Sequence, residues 1–197
     1  MRRFRKSAIV LVVFVSSCVI YIRTHPLVFN ESFTEHAHCI LIAGGALETY
    51  AHENGGRYPF HTNGYGDALV LLRDYADFGG CLTGPGYDGK VFDEAAKTGR
   101  HVPEGACGRV YVQGLTKSDD ADIALLFDKL PTPGGDHCHL LARLREPLGR
   151  EVWTIGDGHL FVRESEWPEF ARRQIQLLIG AGRPREDAER LYAANTK

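Results

Sequence analysis

The chain has 197 residues, of which 44% are hydrophobic, 24% charged and 10% aromatic. These values are typical of a globular protein with a sizeable core, and they exclude a disordered chain, a collagen-like rod and a polytopic membrane protein. The formal net charge of −2 argues against a general nucleic-acid-binding protein, whose basic surplus would show in the total.

The basic residues are unevenly distributed. Residues 1–23 carry five basic side chains and no acidic one, so the rest of the chain has a net charge of −7. Within this leader, Ser7 to Ile22 is an uncharged and mainly apolar run. Basic residues before such a run predict a cytoplasmic N-terminus and an exported remainder. We therefore expect a single-pass anchor of the cytoplasmic membrane at 1–23, a linker at 24–33 and an extracytoplasmic globular domain at 34–197.

Two alternatives to an uncleaved anchor remain open. A cleaved signal peptide has the same basic start and apolar middle, although no clean A-x-A site follows here. Val15-Ser16-Ser17-Cys18 resembles the processing box of a bacterial lipoprotein, in which Cys18 would be acylated. All three interpretations predict export.

The first element predicted after the linker is a helix from Thr34 to about Glu53. Ile40, Leu47 and Tyr50 recur at helical spacing and give the helix one apolar face. Asn54-Gly55-Gly56 is a stop signal. Gly44-Gly45 weakens the helix by about 1 kcal/mol per glycine, so packing must compensate.

The middle of the chain is predicted to hold a short helix, a loop and two strands. The helix covers 67–77, with Asp67 as its N-cap, and the Gly/Pro-rich residues 79–89 form the loop. Residues 109–115 alternate like a half-buried strand, and the apolar run within 121–129 indicates a central one.

The clearest local signal is a hairpin. Two alternating runs flank Asp157-Gly158, a dipeptide that favours a tight turn between strands. Ser165 is predicted to cap a helix over 166–179, and a last helix runs from Pro184 to about Ala194. Because helices and strands are segregated along the chain, the predicted class is α+β with an antiparallel sheet.

Export changes the interpretation of the cysteines. Four lie outside the apolar run, and an even number in an oxidising compartment indicates disulfides. A Cys81–Cys107 bridge is favoured, because both residues lie in loop-like sequence. Reduced, buried cysteines are the alternative. The four disulfide candidates are Cys39, Cys81, Cys107 and Cys138.

Histidines provide the candidate metal ligands. His137-Cys138-His139 and Asp157-Gly158-His159 combine imidazole, thiolate and carboxylate, the donors that zinc prefers. A site of His137, His139, Asp157 and His159 is therefore a hypothesis. In the alternative, these histidines are exposed or satisfy loop carbonyls, and Asp157 only makes the turn. Cys138 between two histidines is also a candidate nucleophile, and a disulfide partner or a core cysteine is the favoured alternative.

Loop aspartates offer a second metal chemistry. Hard oxygen ligands on loops suit calcium, although no EF-hand loop is present. The candidates are Asp88, Asp119, Asp120, Asp122 and Asp128. A solvated turn is the alternative for the acidic run, and Asp128, at the end of a buried-looking strand, could pair with a cation or cap the strand.

Three phrases of the sequence resemble a known family in the right order. They are Leu47-Glu48-x-Tyr50-Ala51-x-Glu53-Asn54-Gly55-Gly56-Arg57-Tyr58-Pro59, then Cys81-x-x-x-Pro85-Gly86, and then Asp157-Gly158-His159-Leu160. Together they resemble bacterial type IV pilin-like and type II secretion pseudopilin-like proteins. The resemblance implies a membrane-tethered helix packed on an antiparallel sheet. It also implies a structural or assembly role without catalysis or cofactor, among envelope or secretion-system partners.

The leader departs from that family. It lacks the usual prepilin processing site, no glutamate precedes Glu31, and Pro26 interrupts the expected continuous helix. A stand-alone anchored domain is therefore favoured over a polymerising subunit. The competing hypothesis is an extracytoplasmic zinc- or calcium-binding module or hydrolase that uses the histidine-rich site.

Overall fold

The computed structural model describes residues 36–75, 81–82, 84, 87–133, 148–156 and 158–193. Helices and antiparallel strands are both present, which confirms the α+β class. The helices are α1 (His36–Glu53), α2 (Tyr65–Val70), α3 (Lys90–Thr98), α4 (Trp167–Gly180) and α5 (Arg185–Ala193), with 3₁₀ turns at Leu71–Asp74 and Glu104–Ala106. The strands are β1 (Arg109–Tyr111), β2 (Ala124–Asp128), β3 (Thr132–Pro133), β4 (Leu148–Thr154) and β5 (His159–Arg163).

The described strands form one antiparallel sheet centred on β2 and β4. β1 pairs with β2, and β2 pairs with β4. β3 pairs with the beginning of β4. It lies on the same edge of β4 as β2, because all five residues of β5 pair with the opposite edge. The predicted hairpin is present, but its register is not that of a two-residue turn at Asp157-Gly158, which would pair Gly156 with His159. Trp153 is the partner of His159, and the Thr154 amide donates to the Gly158 carbonyl at 2.9 Å.

Helices cover both faces of this sheet. Phe127 of β2 stacks on Tyr192 of α5, with ring centroids 4.8 Å apart, and also contacts Trp167 of α4. Val152 is the partner of Phe127, so its neighbour Trp153 points to the opposite face, where it contacts Gly44 of α1. Burial on both sides explains why β2 is a nearly continuous apolar run that ends in a single charge.

The approach of α1 to the sheet depends on Gly44. A Cβ atom built on this glycine would overlap the indole ring of Trp153, whereas a Cβ on Gly45 would meet nothing within 4 Å. The two neighbouring glycines therefore differ in role. Gly44 permits a close helix–sheet contact, which is the packing compensation that the sequence requires, and Gly45 faces open space.

The phrase that follows α1 turns the chain back towards the sheet. Gly55 and Gly56 both have positive φ, and the Gly56 amide donates to the carbonyl of Ala51 at 2.8 Å, which closes the helix end. The Tyr58 amide then donates to the Leu115 carbonyl, and its hydroxyl donates to Glu48 at 2.7 Å. This segment thus ties the end of α1 to the chain that follows β1.

Several predicted boundaries are wrong. Asp67 lies inside α2 instead of capping it, because Gly64 occupies the N-cap position. Glu166, not Ser165, precedes α4. β1 is shorter than the predicted strand, and α3 was missed because its sequence follows a glycine-rich loop. Phe92 and Ala95 bury one side of α3 against the core.

The predicted anchor at 1–23 and linker at 24–33 lie outside the described residues. Within the described part of the chain, no helix has the length and apolar character needed to cross a bilayer.

Candidate functional site

Four ionisable side chains form a row across the sheet on the face that α1 covers. We call Arg109, Asp128, Glu151 and His159 the polar row. Arg109 of β1 and Asp128 of β2 are register partners, and their side chains form a fully buried ion pair with Nε 2.9 Å from Oδ1. Arg109 also donates through Nη1 to the carbonyl of Cys81. The inner end of the row is therefore closed by the backbone of the predicted 79–89 loop.

Glu151 connects this ion pair to the surface. Its backbone amide lies 3.4 Å from Asp128 Oδ2, and its carboxylate lies 2.5 Å from Nε2 of His159. The side chain of Glu151 is 7% exposed and that of His159 is 33% exposed. The row thus runs from a fully buried guanidinium, through two buried carboxylates, to an imidazole that is partly exposed to solvent.

The hairpin register explains why Glu151 and His159 meet. Trp153 lies directly opposite His159, and Glu151 is two residues before Trp153 on the same face of β4. A diagonal neighbour of this kind is within reach of a long side chain. The contact therefore follows from the register of β4 and β5. Glu151 was not among the predicted site residues.

Burial and hydrogen bonding shift the pKa values of two members of the row, Asp128 and His159. Removal from water raises the pKa of Asp128, Arg109 lowers it, and the nearby charge of Glu151 raises it again; the net shift is upward. The hydrogen bond to Glu151 raises the pKa of His159, and partial burial opposes this shift. A protonated His159 would then pair with Glu151.

The members of the polar row differ in their access to solvent. Arg109 and Asp128 are both fully buried, so a substrate has no access to them. His159 is the accessible member, and its described hydrogen bond is to Glu151, not to a serine, threonine or cysteine that it could activate. The polar row links β1, β2, β4 and β5 by charged hydrogen bonds within one face of the sheet.

The predicted metal site is not assembled within the described residues. His137, His139 and Asp157 lie outside them, and His159 is bound to Glu151. The described ends of the segment that carries His137 and His139 pair with each other as Pro133 and Leu148. That end of β4 lies five residues, about 17 Å, from the Trp153–His159 pair. The four-residue site stays a prediction.

The calcium candidates are engaged by protein groups. Asp119 accepts from the amide and hydroxyl of Thr116, and Asp122 pairs with Arg173. Asp88 accepts from the Lys90 amide at the start of α3, and Asp128 pairs with Arg109. Among the described residues, no group of three histidine, cysteine, aspartate or glutamate side chains is arranged to hold a metal ion.

The predicted Cys81–Cys107 bridge is not formed in this structure. Cys107 is a buried thiol that lies 3.8 Å from the carbonyl oxygen of Pro103. Burial is the main reason that its pKa rises to about 12, which makes it a poor nucleophile. Cys138 lies outside the described residues, and for Cys39 only its place in α1 is described.

A second ionic cluster surrounds Asp67 and was also missed. Asp67 accepts hydrogen bonds from the Val102 amide at 2.7 Å and from Asn63, and it contacts Nδ1 of His101 at 2.8 Å. Burial alone would raise the pKa of this carboxyl, but these hydrogen bonds lower it below its ordinary value. The cluster fastens α2 to the segment before β1, which is a structural role.

Comparisons with known proteins add no relative. No protein-family model matches the chain, and no curated protein or solved structure matches it. The pilin-like resemblance therefore rests on the short phrases of the sequence.

Proposed function

We propose that this chain is a membrane-anchored, non-catalytic structural or assembly protein of the cell envelope, similar to pilin-like and pseudopilin-like proteins. Its globular domain would lie outside the cytoplasmic membrane, held by the apolar run at 7–22. It would work beside envelope or secretion-system proteins and would need no cofactor.

One observation carries the proposal. α1 lies against the antiparallel sheet at Gly44, and the phrase that resembles the pilin-like family, from Asn54 to Pro59, ends this helix and returns the chain towards the sheet. The phrase thus coincides with the structural junction at which such proteins join helix to sheet. The polar row supports the same role, because its buried charges connect strands and leave one imidazole at the surface.

Membrane attachment and export are tested first. The full chain and a variant that lacks residues 7–22 would each be expressed in a Gram-negative host, with alkaline phosphatase fused to the C-terminus. We expect the full chain to resist carbonate extraction from membranes and to show phosphatase activity, which requires export. The deletion variant should be soluble and inactive. Soluble full-length protein, or an inactive fusion that remains in the membrane, would contradict the proposal.

The assembly role needs its own readout. Cross-linking of intact cells followed by purification of the full chain should recover envelope proteins, and the deletion variant should not recover them. A Cys18→Ser variant distinguishes the lipoprotein alternative. If Cys18 is acylated, the wild type carries the extra mass of a lipid and the variant does not. If the protein is held by an uncleaved anchor, the two masses differ only by the substitution itself.

Metal content separates the competing hypothesis. Protein purified from an oxidising compartment, without chelator or histidine tag, should contain metal well below one equivalent, and His139→Ala should not change it. One equivalent of zinc that His139→Ala removes would favour a metal-binding module instead.

A further inference from the structure

A cavity of about 250 Å³ lies on the face of the sheet opposite α1, beside α5. It is separate from the polar row. Its walls combine apolar and charged side chains: Tyr65, Val110 and Leu191 are apolar or aromatic, and Glu104, Lys129 and Arg190 carry charge. Gly105 contributes bare backbone to the rim.

Lys129 is the unusual member of this wall. Its half-buried ammonium donates to the carbonyl oxygen of Glu104 at 2.6 Å and lies 5.6 Å from the ring of Tyr65 and 5.8 Å from that of Tyr87. Among the described residues, no carboxylate lies within ion-pair distance of it. Burial lowers the pKa of Lys129, although electrostatic interactions with the Cys107 sulfur and the Glu104 carboxylate oppose the shift.

The other charged wall residues already have partners. Arg190 pairs with Asp187 at 3.3 Å on the exposed side of α5. The carboxylate of Glu104 accepts from the backbone amide of Tyr65 at 3.3 Å. Glu104 is thus a carboxylate of the same wall that acts on Lys129 at longer range, and no ion pair with Lys129 forms within the described residues. Lys129 is a partly desolvated cation, and an anion in direct contact with it would recover part of its desolvation cost.

We propose that this cavity binds a small organic carboxylate, with Lys129 as its counter-ion and the apolar wall around its hydrocarbon part. The size fits, because a cavity of about 150 Å³ already holds benzene. Tyr65, Val110 and Leu191 supply the apolar wall that a ring or short chain requires. One ammonium balances one negative charge, which favours a monocarboxylate over phosphate.

The test is a ¹⁹F NMR titration of 4-fluorobenzoate into the full chain, purified in detergent at pH 7. We expect saturable broadening of the fluorine signal. Lys129→Met removes the charge while keeping an unbranched side chain, and it should weaken binding about tenfold or more, the usual effect of losing a hydrogen bond to a charged group. Lys97→Met is the matched control, because Lys97 is an exposed lysine of α3 that does not line the cavity. It should bind as the wild type does.

A second variant keeps the proposal testable if Lys129→Met fails to fold. A Cβ on Gly105 would meet nothing within 4 Å, so Gly105→Phe can place a ring at the cavity without a backbone clash. This variant should keep its circular dichroism spectrum and lose binding. The neutral analogue 4-fluorobenzyl alcohol should compete about tenfold less well than benzoate.

Three results would overturn the proposal. They are the absence of saturable broadening with the wild type, equal binding by wild type and a folded Lys129→Met variant, and undiminished binding by Gly105→Phe. Competition by inorganic phosphate at the same concentration as benzoate would replace the carboxylate with a general anion site.

Discussion

The two neighbouring glycines of α1 allow the helix–sheet contact to be tested by a matched pair of substitutions. Alanine at either position gains about 1 kcal/mol of helix propensity. At Gly45 the added methyl group enters open space, so Gly45→Ala should stabilise the protein by up to about 1 kcal/mol. At Gly44 the same methyl group would overlap the indole ring of Trp153, and overpacking of this kind costs about 1–3 kcal/mol.

The two substitutions should therefore change the free energy of unfolding by different amounts, and in opposite directions if the overlap at Gly44 outweighs the gain in helix propensity. Gly44→Ala should be less stable than Gly45→Ala by about 1–3 kcal/mol. For a domain of this length, each kcal/mol shifts the unfolding midpoint by about 2–4 °C. Thermal unfolding of the full chain, followed by near-ultraviolet circular dichroism, would measure the difference directly.

A double variant identifies the cause. If the methyl group of Gly44→Ala collides with the indole, Trp153→Leu should relieve the collision, and the pair should show favourable coupling of about 0.5–3 kcal/mol. Equal stability of Gly44→Ala and Gly45→Ala, or zero coupling with Trp153→Leu, would refute the close contact between α1 and the sheet.

Three further predictions concern the ionic groups. The folded-state pKa of His159 lies above its ordinary value of 6.5, so the stabilisation by its pair with Glu151 is present below pH 6.5 and is lost as pH rises through the folded value. Urea unfolding should therefore show that His159→Gln lowers the free energy of unfolding more at pH 6 than at pH 9. A cost independent of pH would contradict this prediction. Asp67→Ala should cost about 1–3 kcal/mol at pH 7 by leaving a buried amide unsatisfied, measured by urea unfolding, and a cost below about 0.5 kcal/mol would contradict its fastening role. Arg109→Met should lower the free energy of unfolding by about 3–5 kcal/mol, because it leaves the buried carboxylate of Asp128 without its partner. Adding Asp128→Asn removes that charge and should restore part of the loss. If the effects of the two substitutions simply added, the result would contradict the ion pair.

The architecture was largely predictable where local signals agree. α1 has a regular apolar face and a glycine stop. The hairpin combines alternating residues with Asp157-Gly158, so both of its strands were predicted, although β4 begins at Leu148, before the predicted run. α3 was missed because Gly89 precedes it and its single buried stripe, with Phe92 and Ala95, is short. Asp67 was assigned as a cap because its type and position fit that role, whereas its actual partners come from residues distant in the chain.

The polar row was only partly predictable. His159 was singled out, and Asp128 was noted as a charge at the end of a buried strand. Arg109 was missed because its partner stands nineteen residues away, and strand pairing between β1 and β2 cannot be read from either segment alone. Burial of such a pair is decided by the sheet order and by the helix that covers it.

Glu151 is the instructive omission, because it lies in a strand of the predicted hairpin, but its neighbours depend on a register that a tight turn at Asp157-Gly158 does not give. A two-residue turn at Asp157-Gly158 would set Gly156 opposite His159, whereas the observed register sets Trp153 opposite His159 and brings Glu151 to the diagonal position on the same face. A charged residue on the same face of β4 as Trp153 should lie at the edge of the helix–sheet contact or pair with another charged group, since this face packs on α1. Histidines adjacent in sequence suggested a metal site, whereas pairing across the strands selects a carboxylate eight residues away. The observed strand register, and not proximity along the chain, therefore determines the partner of this strand histidine.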